Sequence, residues 1–172
     1  MPALLEEMNM PELRYILPEG RGQLIFTGPV LEHMFSQKQK HWLSRESGGQ
    51  LFASFGNENI VVTEATGPRK QDKRGRFSFW PHRPSEQKEI NQRYKEAGLH
   101  FVGDWHTHPE RTPNPSGGDA DSVAKMFGAS KHDLFGVLLV VVGTDDPPGG
   151  LYVGLHDRTG LHELTLIDAQ DV

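Results

Sequence analysis

The longest apolar run, Leu134 to Val142 with Gly136 inside it, is the feature that most constrains the fold. Crossing a bilayer takes about 20 apolar residues, and a run of about half that length reads as the buried central strand of a sheet. The segments around it supply partners. Alternation at Leu13 to Leu17 and at Gln23 to Thr27 predicts two strands joined by a turn, and Gln50 to Phe55 with Ile60 to Glu64 predicts a hairpin over Gly56 to Asn59. Leu99 to Thr107, Leu151 to His156 and Leu161 to Ile167 read as further strands. Helical patterns fall between them. Pro29 opens one that runs to about Arg45, a polar helix covers Ser85 to Ala97 and stops at Gly98, and a short one runs from Ser116 to about Phe127. The expectation is an α/β fold, with a mixed β-sheet flanked by helices in a single domain spanning 1–172.

Composition removes several chemistries. The chain has 172 residues and no cysteine, which excludes disulfide scaffolds, zinc fingers, iron–sulfur clusters and thiol nucleophiles. The formal charge of −5 argues against a nucleic-acid-coating protein. Glu6 and Glu7 stand where a secretory signal would carry basic residues, so the expected location is the cytoplasm, with no membrane partner. Nine histidines raise the prospect of metal or proton chemistry, and their placement decides it.

The informative stretch is Gly103-Asp104-Trp105-His106-Thr107-His108-Pro109, followed after six residues by Ser116-Gly117-Gly118-Asp119. Residues two apart on a strand share a face, so His106 and His108 can present two imidazoles to one ion, while Trp105 points the other way into the core. Asp119, in the first turn of the next helix, could fold back as a third ligand. Two histidines and one aspartate leave a fourth tetrahedral position for water, the open arrangement of catalytic zinc. Taken alone, Ser116-x-x-Asp119 is a helix cap, and the two roles are compatible. Asp121 lies about 200° around the helix from Asp119 and is the weaker candidate.

Glu46, followed by Ser-Gly-Gly-Gln-Leu-Phe, then His106-Thr-His108-Pro109, six residues and Ser116-x-x-Asp119, resembles the JAMM/MPN metalloproteases, and every signature position is filled. The resemblance covers roughly 28–167. Gly67-Pro68 through Arg74-Gly-Arg76-Phe-Ser-Phe79 also resembles the basic loop of bacterial members. The family implies a cytidine-deaminase-like sheet and one zinc per chain, held by His106, His108 and Asp119. It implies that Glu46 takes a proton from the attacking water and returns it to the leaving amine, while Ser116 donates to the oxyanion. The predicted helix ending near Arg45 puts Glu46 at a C-terminus, where the dipole disfavours a carboxylate and a functional reason for its presence is expected.

The substrate class comes from the resemblance too. It implies hydrolysis after the C-terminal Gly of a ubiquitin-like modifier or conjugated protein, in a bacterial anti-phage system that also carries an E1/E2-like ligase. Trimming of a sulfur-carrier protein is the same chemistry in another pathway. A non-catalytic MPN-type module is disfavoured because all the ligand positions are filled. Arg69, Lys70, Lys73, Arg74 and Arg76, against Asp72 alone, form a basic loop that could guide an acidic partner or a nucleic acid. Phe77, Phe79 and Trp80 could anchor that loop or dock an extended peptide, with one or two of them expected to be buried. His41, His82, His100, His132, His156 and His162 have no ligand partners at suitable spacing, and His162-Glu163 fails the H-E-x-x-H pattern at Leu166.

Overall fold

The apolar run becomes β8 (Val137–Val142), all six residues of which are buried. The structure, a computed structural model, describes residues 10–129 and 135–167, so Leu134 and His132 lie outside the described residues. Leu138, Val140 and Val142 face one core cluster, while Val137, Leu139 and Val141 face a second. Each such side chain, fully withdrawn from water, contributes roughly 1.5–3 kcal/mol. Two-sided burial explains why this segment is apolar throughout and does not alternate.

The remaining strands are β1 (Leu13–Ile16), β2 (Gln23–Phe26), β3 (Gly48–Phe55), β4 (Asn59–Ala65), β7 (His100–Thr107), β9 (Leu151–Asp157) and β10 (Gly160–Glu163). With β8 they form one eight-stranded sheet in the order β1-β2-β4-β3-β7-β8-β9-β10. It is mixed: β2 with β4 and β7 with β8 are parallel, the other pairs antiparallel. A separate two-stranded hairpin, β5 (Lys73–Arg74) with β6 (Phe79–Trp80), projects from the β4–α2 connection. The sheet curls far enough for the segment after β10 to reach β1. Ile16 N donates to Thr165 O at 2.9 Å, and Ile167 N to Arg14 O at 2.8 Å. This closure splits the last predicted strand, because the chain leaves β10 after Glu163 to cover the β1 edge.

Helix α1 (Gly28–Ser36) buries Val30, Leu31, Met34 and Phe35 in the larger core, together with Trp105, Phe26 and Leu51. Helix α2 (Arg83–Ala97) lies against β7 and ends at Gly98, whose φ of +64° supplies the left-handed cap. Helix α3 (Gly117–Ala129) covers the second cluster through Val123, with Met126 and Phe127 at its margin. Among the described residues no helix is long and apolar enough to cross a membrane.

A helix departs from expectation as well. Helix α1 stops at Ser36, not near Arg45. After Phe35 no residue before Trp42 has an apolar side chain to bury, and Trp42 itself is exposed. Gln39 instead drives its side chain inward to make hydrogen bonds, and residues 37–47 run as an irregular loop.

Candidate metal centre

The strand β7 sorts its side chains as the alternation requires. Trp105 is fully buried on the α1 side, its indole N–H donating to Thr66 O at 2.9 Å, so His106 points the opposite way. His108 N donates to Val142 O at 2.9 Å, which continues the strand one residue beyond β7 and keeps His108 on the face of His106. Pro109 then prevents further pairing.

Ser116 and Asp119 form a reciprocal capping box at the start of α3. Ser116 N donates to Asp119 Oδ2 at 2.7 Å, and Asp119 N donates to Ser116 Oγ at 3.1 Å. The cap turns the Asp119 carboxylate towards the histidines. His106 Nε2 and His108 Nε2 are 3.1 Å apart, and each is 3.2 Å from Asp119 Oδ2. Asp121 is exposed on α3 and outside this group.

Three atoms at nearly equal separations fit a metal better than a hydrogen-bond network. For both Nε2 atoms to bond Asp119 each must carry a proton, which leaves their own 3.1 Å contact with two donors and no acceptor, whereas an ion with bonds of about 2.0–2.1 Å in a tetrahedron has ligand–ligand edges of about 3.3 Å. The donor set, two imidazoles and one carboxylate, suits a divalent first-row transition metal. His108 Nδ1 is buried without a partner among the described residues, a departure from the usual second hydrogen bond of a ligating histidine.

Electrostatics match the geometry. Burial would raise the Asp119 pKa, yet hydrogen bonds from His106, His108 and Ser116 N overcome it and hold the carboxyl well below the usual range. For His108, burial pushes down, but hydrogen bonding to Asp119 and the charges of Asp119, Glu46 and Glu110 push its pKa above the ordinary imidazole value. Glu46 goes the other way from Asp119: burial raises its pKa, with His106 and His108 opposing and Asp119 adding to the rise. Its carboxyl is thus near enough to feel His106, His108 and Asp119, and its burial makes it a weaker acid than an exposed glutamate.

Glu46 is only 6% exposed. It stands in the loop before β3, ten residues past the end of α1, so the dipole argument for its placement does not apply. Two contacts from the hairpin hold its backbone: Glu46 N donates to Gly75 O at 2.7 Å, and Arg74 Nε donates to Glu46 O at 2.6 Å. Ser116 is exposed, and because its Oγ accepts from Asp119 N, its own proton is free to be donated.

The sequence reading did not single out Gln39, Thr107 as a structural link, or His33. Gln39 is buried, accepts from Thr107 Oγ1 at 2.9 Å and donates to Arg76 O at 2.9 Å. Thr107 Oγ1 in turn accepts from Ser47 N at 2.9 Å. His33 Nε2 lies 2.8 Å from Gly67 O, and its ring packs edge-on against Trp105. A glutamine in a polar run carries no signal of burial; only the threonine between two candidate ligands was there to be read.

Other histidines serve elsewhere among the described residues. His82 caps α2 through Ser85, His100 stacks edge-on with Phe55 and Tyr94, His156 packs beside Phe127, His162 bonds Asp157 and Thr159, and His41 is exposed. Two of the five loop cations are spent internally, Arg69 on Glu89 and Gln50, and Arg74 on the Glu46 segment. Phe77 and Trp80 are 73% and 67% exposed, and Phe79 is half-buried. None of the three is therefore fully buried. Phe79 comes nearest because it rests on Gly48, where an added Cβ would lie 2.9 Å from its ring.

Fold and site together define a curled mixed-sheet domain with an open His-His-Asp site that fits a metal, beside a buried carboxyl. The chain belongs to the prokaryotic JAB family: the family described as "Prokaryotic homologs of the JAB domain" matches residues 29–152. A protein of Escherichia coli (strain TW11681) named CD-NTase/cGAS isopeptidase is 28% identical over 141 residues, 81% of this chain and 87% of that one. A protein of the same name from Pseudomonas aeruginosa (strain BWHPSA011 / Pa011) is 30% identical over 144 residues, 83% and 88% of the two chains. Among solved structures, protein DSY2949 from Desulfitobacterium hafniense shares the fold, with a TM-score of 0.58 at 17% identity over 80% of this chain and 87% of that one.

Proposed function

We propose that residues 1–172 form one zinc-dependent isopeptidase domain, working in the cytoplasm on a protein conjugated through a C-terminal glycine tail. The observation that carries this reading is the convergence of His106 Nε2, His108 Nε2 and Asp119 Oδ2 beside the buried Glu46. His106, His108 and Asp119 would hold one zinc, which when bound supplies a water of lowered pKa and polarises the scissile carbonyl. The Glu46 carboxylate accepts a proton from the attacking water as its oxygen bonds to the carbonyl carbon, and delivers that proton to the leaving nitrogen as the C–N bond breaks. The free Ser116 hydroxyl proton is donated to the carbonyl oxygen as negative charge develops there.

The relatives' shared name makes a CD-NTase or cGAS conjugate the model for the substrate; the anti-phage setting and an E1/E2-like ligase partner are what the resemblance to bacterial family members adds. The hairpin β5–β6, with Phe77 and Trp80 exposed, offers a short edge on which an extended tail can add as a strand. A carbonyl approaching atoms set between a strand end and a helix start must pass close to backbone, which favours glycine for want of a side chain. Mass spectrometry of a candidate conjugate before and after incubation tests the activity directly. A panel of tail fusions differing only at the residue before the cut tests the groove: glycine is expected to be processed and valine to be sharply slowed. Equal processing of glycine, valine and leucine contradicts the glycine-tail reading.

A further inference from the structure

Hydrogen bonds tie together the two loops that flank Glu46 in a way that the ligand motif does not require. Arg74, in β5, sends its guanidinium away from the hairpin and onto the segment before β3. Nε donates to Glu46 O at 2.6 Å and Nη2 to Ser47 Oγ at 2.5 Å. From the next residue, Gly75 O accepts Glu46 N at 2.7 Å, so the peptide groups on both sides of the Glu46 Cα are held by two consecutive hairpin residues. Arg76 O accepts Gln39 Nε2, and Gln39 Oε1 accepts the hydroxyl of Thr107, the residue between His106 and His108. Ser47 closes the ring: its N–H donates to Thr107 Oγ1 at 2.9 Å, and Thr107 N donates to Ser47 O at 2.8 Å.

We propose that Arg74 is a positioning residue for Glu46, fixing the height and direction of its backbone relative to the two ligand histidines through this shared frame. The assignment rests on the isopeptidase reading above. Among the described residues, Arg74 makes no salt bridge, so its hydrogen bonds go to a backbone carbonyl and a hydroxyl and not to a carboxylate. A lysine could not repeat the arrangement, since one ammonium lacks the planar fork that reaches two acceptors in fixed directions. The burial that depresses the Arg74 pKa, with Arg45 nearby adding to it, is what this placement costs the cation. The role is geometric. A base displaced by about 1 Å loses about 10²-fold in rate even when every reacting group is present.

The test is a double-mutant cycle on the zinc-loaded full chain, with a reporter joined through a flexible Gly-ended tail as substrate. Arg74→Met is expected to lower kcat about 10²-fold, with metal content retained and KM little changed. In a Glu46→Gln background the same substitution should cost nothing further, because it acts only through the Glu46 side chain. Arg74→Lys should lose most of what Arg74→Met loses. Equal losses in both backgrounds, or full rescue by lysine, would overturn the assignment. Should Arg74→Met fail to fold, Arg74→Gln, which keeps one donor, carries the same cycle with a smaller first loss. A wild-type chain that cleaves no such fusion fails the isopeptidase reading itself and removes the assignment with it. Wild-type cleavage with multiplicative losses fails the assignment alone.

Discussion

His106, His108 and Asp119 stand on a strand end and a helix start, whereas Glu46 stands in the irregular loop before β3. The ligand half is fixed by local rules: a two-residue strand alternation, a proline that ends it, and a capping box that aims one carboxylate. The base half is fixed by long-range hydrogen bonds from Gln39, Arg74, Gly75 and Thr107, spanning up to 68 positions of sequence in the Thr107–Gln39 contact. On the proposed function one half would hold the metal and the other the proton acceptor, and their contrasting construction predicts different failures.

The largest effect belongs to the ligand half. Asp119→Ala should abolish both metal retention and turnover, and also lower stability by about 1 kcal/mol through loss of the cap. Metal analysis of the purified variant checks the first part and thermal unfolding the second. Asp121→Ala should leave metal and turnover unchanged; the reverse pattern would break the assignment of ligands. Ser116→Ala should retain the metal, because among the described residues its side chain bonds Asp119 N and no candidate ligand atom, yet lose about 10²–10³-fold in rate if its proton serves the oxyanion. A loss of metal from that variant would show that the cap, and not the hydroxyl proton, is what activity requires.

The same contrast explains what could be read in the sequence. The candidate ligand half was legible because Trp105, one residue before His106 on the alternating strand, states the face that His106 and His108 share, and because Ser116 and Asp119 sit at the spacing of a cap. The strands of the large sheet were legible from their alternation, and β8 from its length, but β5 and β6, two residues each inside a basic Gly-rich loop, were not. Glu46 was legible only through the resemblance, and the helix drawn up to it was wrong: residues after Phe35 can be written on a helical wheel, but nothing there has a core to face. Gln39 was not legible at all. Its burial depends on an acceptor from residue 76 and a donor from residue 107 that are brought near only when the sheet forms. The closure of the sheet by residues 164–167 was hidden for the same reason, since local alternation cannot distinguish a longer edge strand from a chain crossing to the opposite edge.

A smaller effect tests the cost of placing the ligands on a buried strand. Asp104 lies two residues before His106, with Oδ1 buried and without a hydrogen-bond partner among the described residues. Burial, and then the charge of Glu86, push its pKa up to about 8 against the opposing Arg83 and Arg69. The folded chain therefore keeps a proton that the unfolded chain releases near about pH 3.9, and this group makes stability fall as pH rises from there towards the folded value. Asp104→Asn should flatten that fall, because the amide has no proton to lose. Melting temperatures compared across that window check it, and parallel slopes in the two proteins would contradict it. Glu86, also raised by burial, leaves some slope behind.

The division of the site into a half that holds metal and a half that moves protons is tested most directly by Glu46→Gln, with bound zinc and turnover measured on the same preparation. Full zinc occupancy with a rate reduced about 10²–10⁴-fold is the expected result, the range of a lost general acid–base. Near-normal turnover, or loss of the zinc along with the activity, would contradict it.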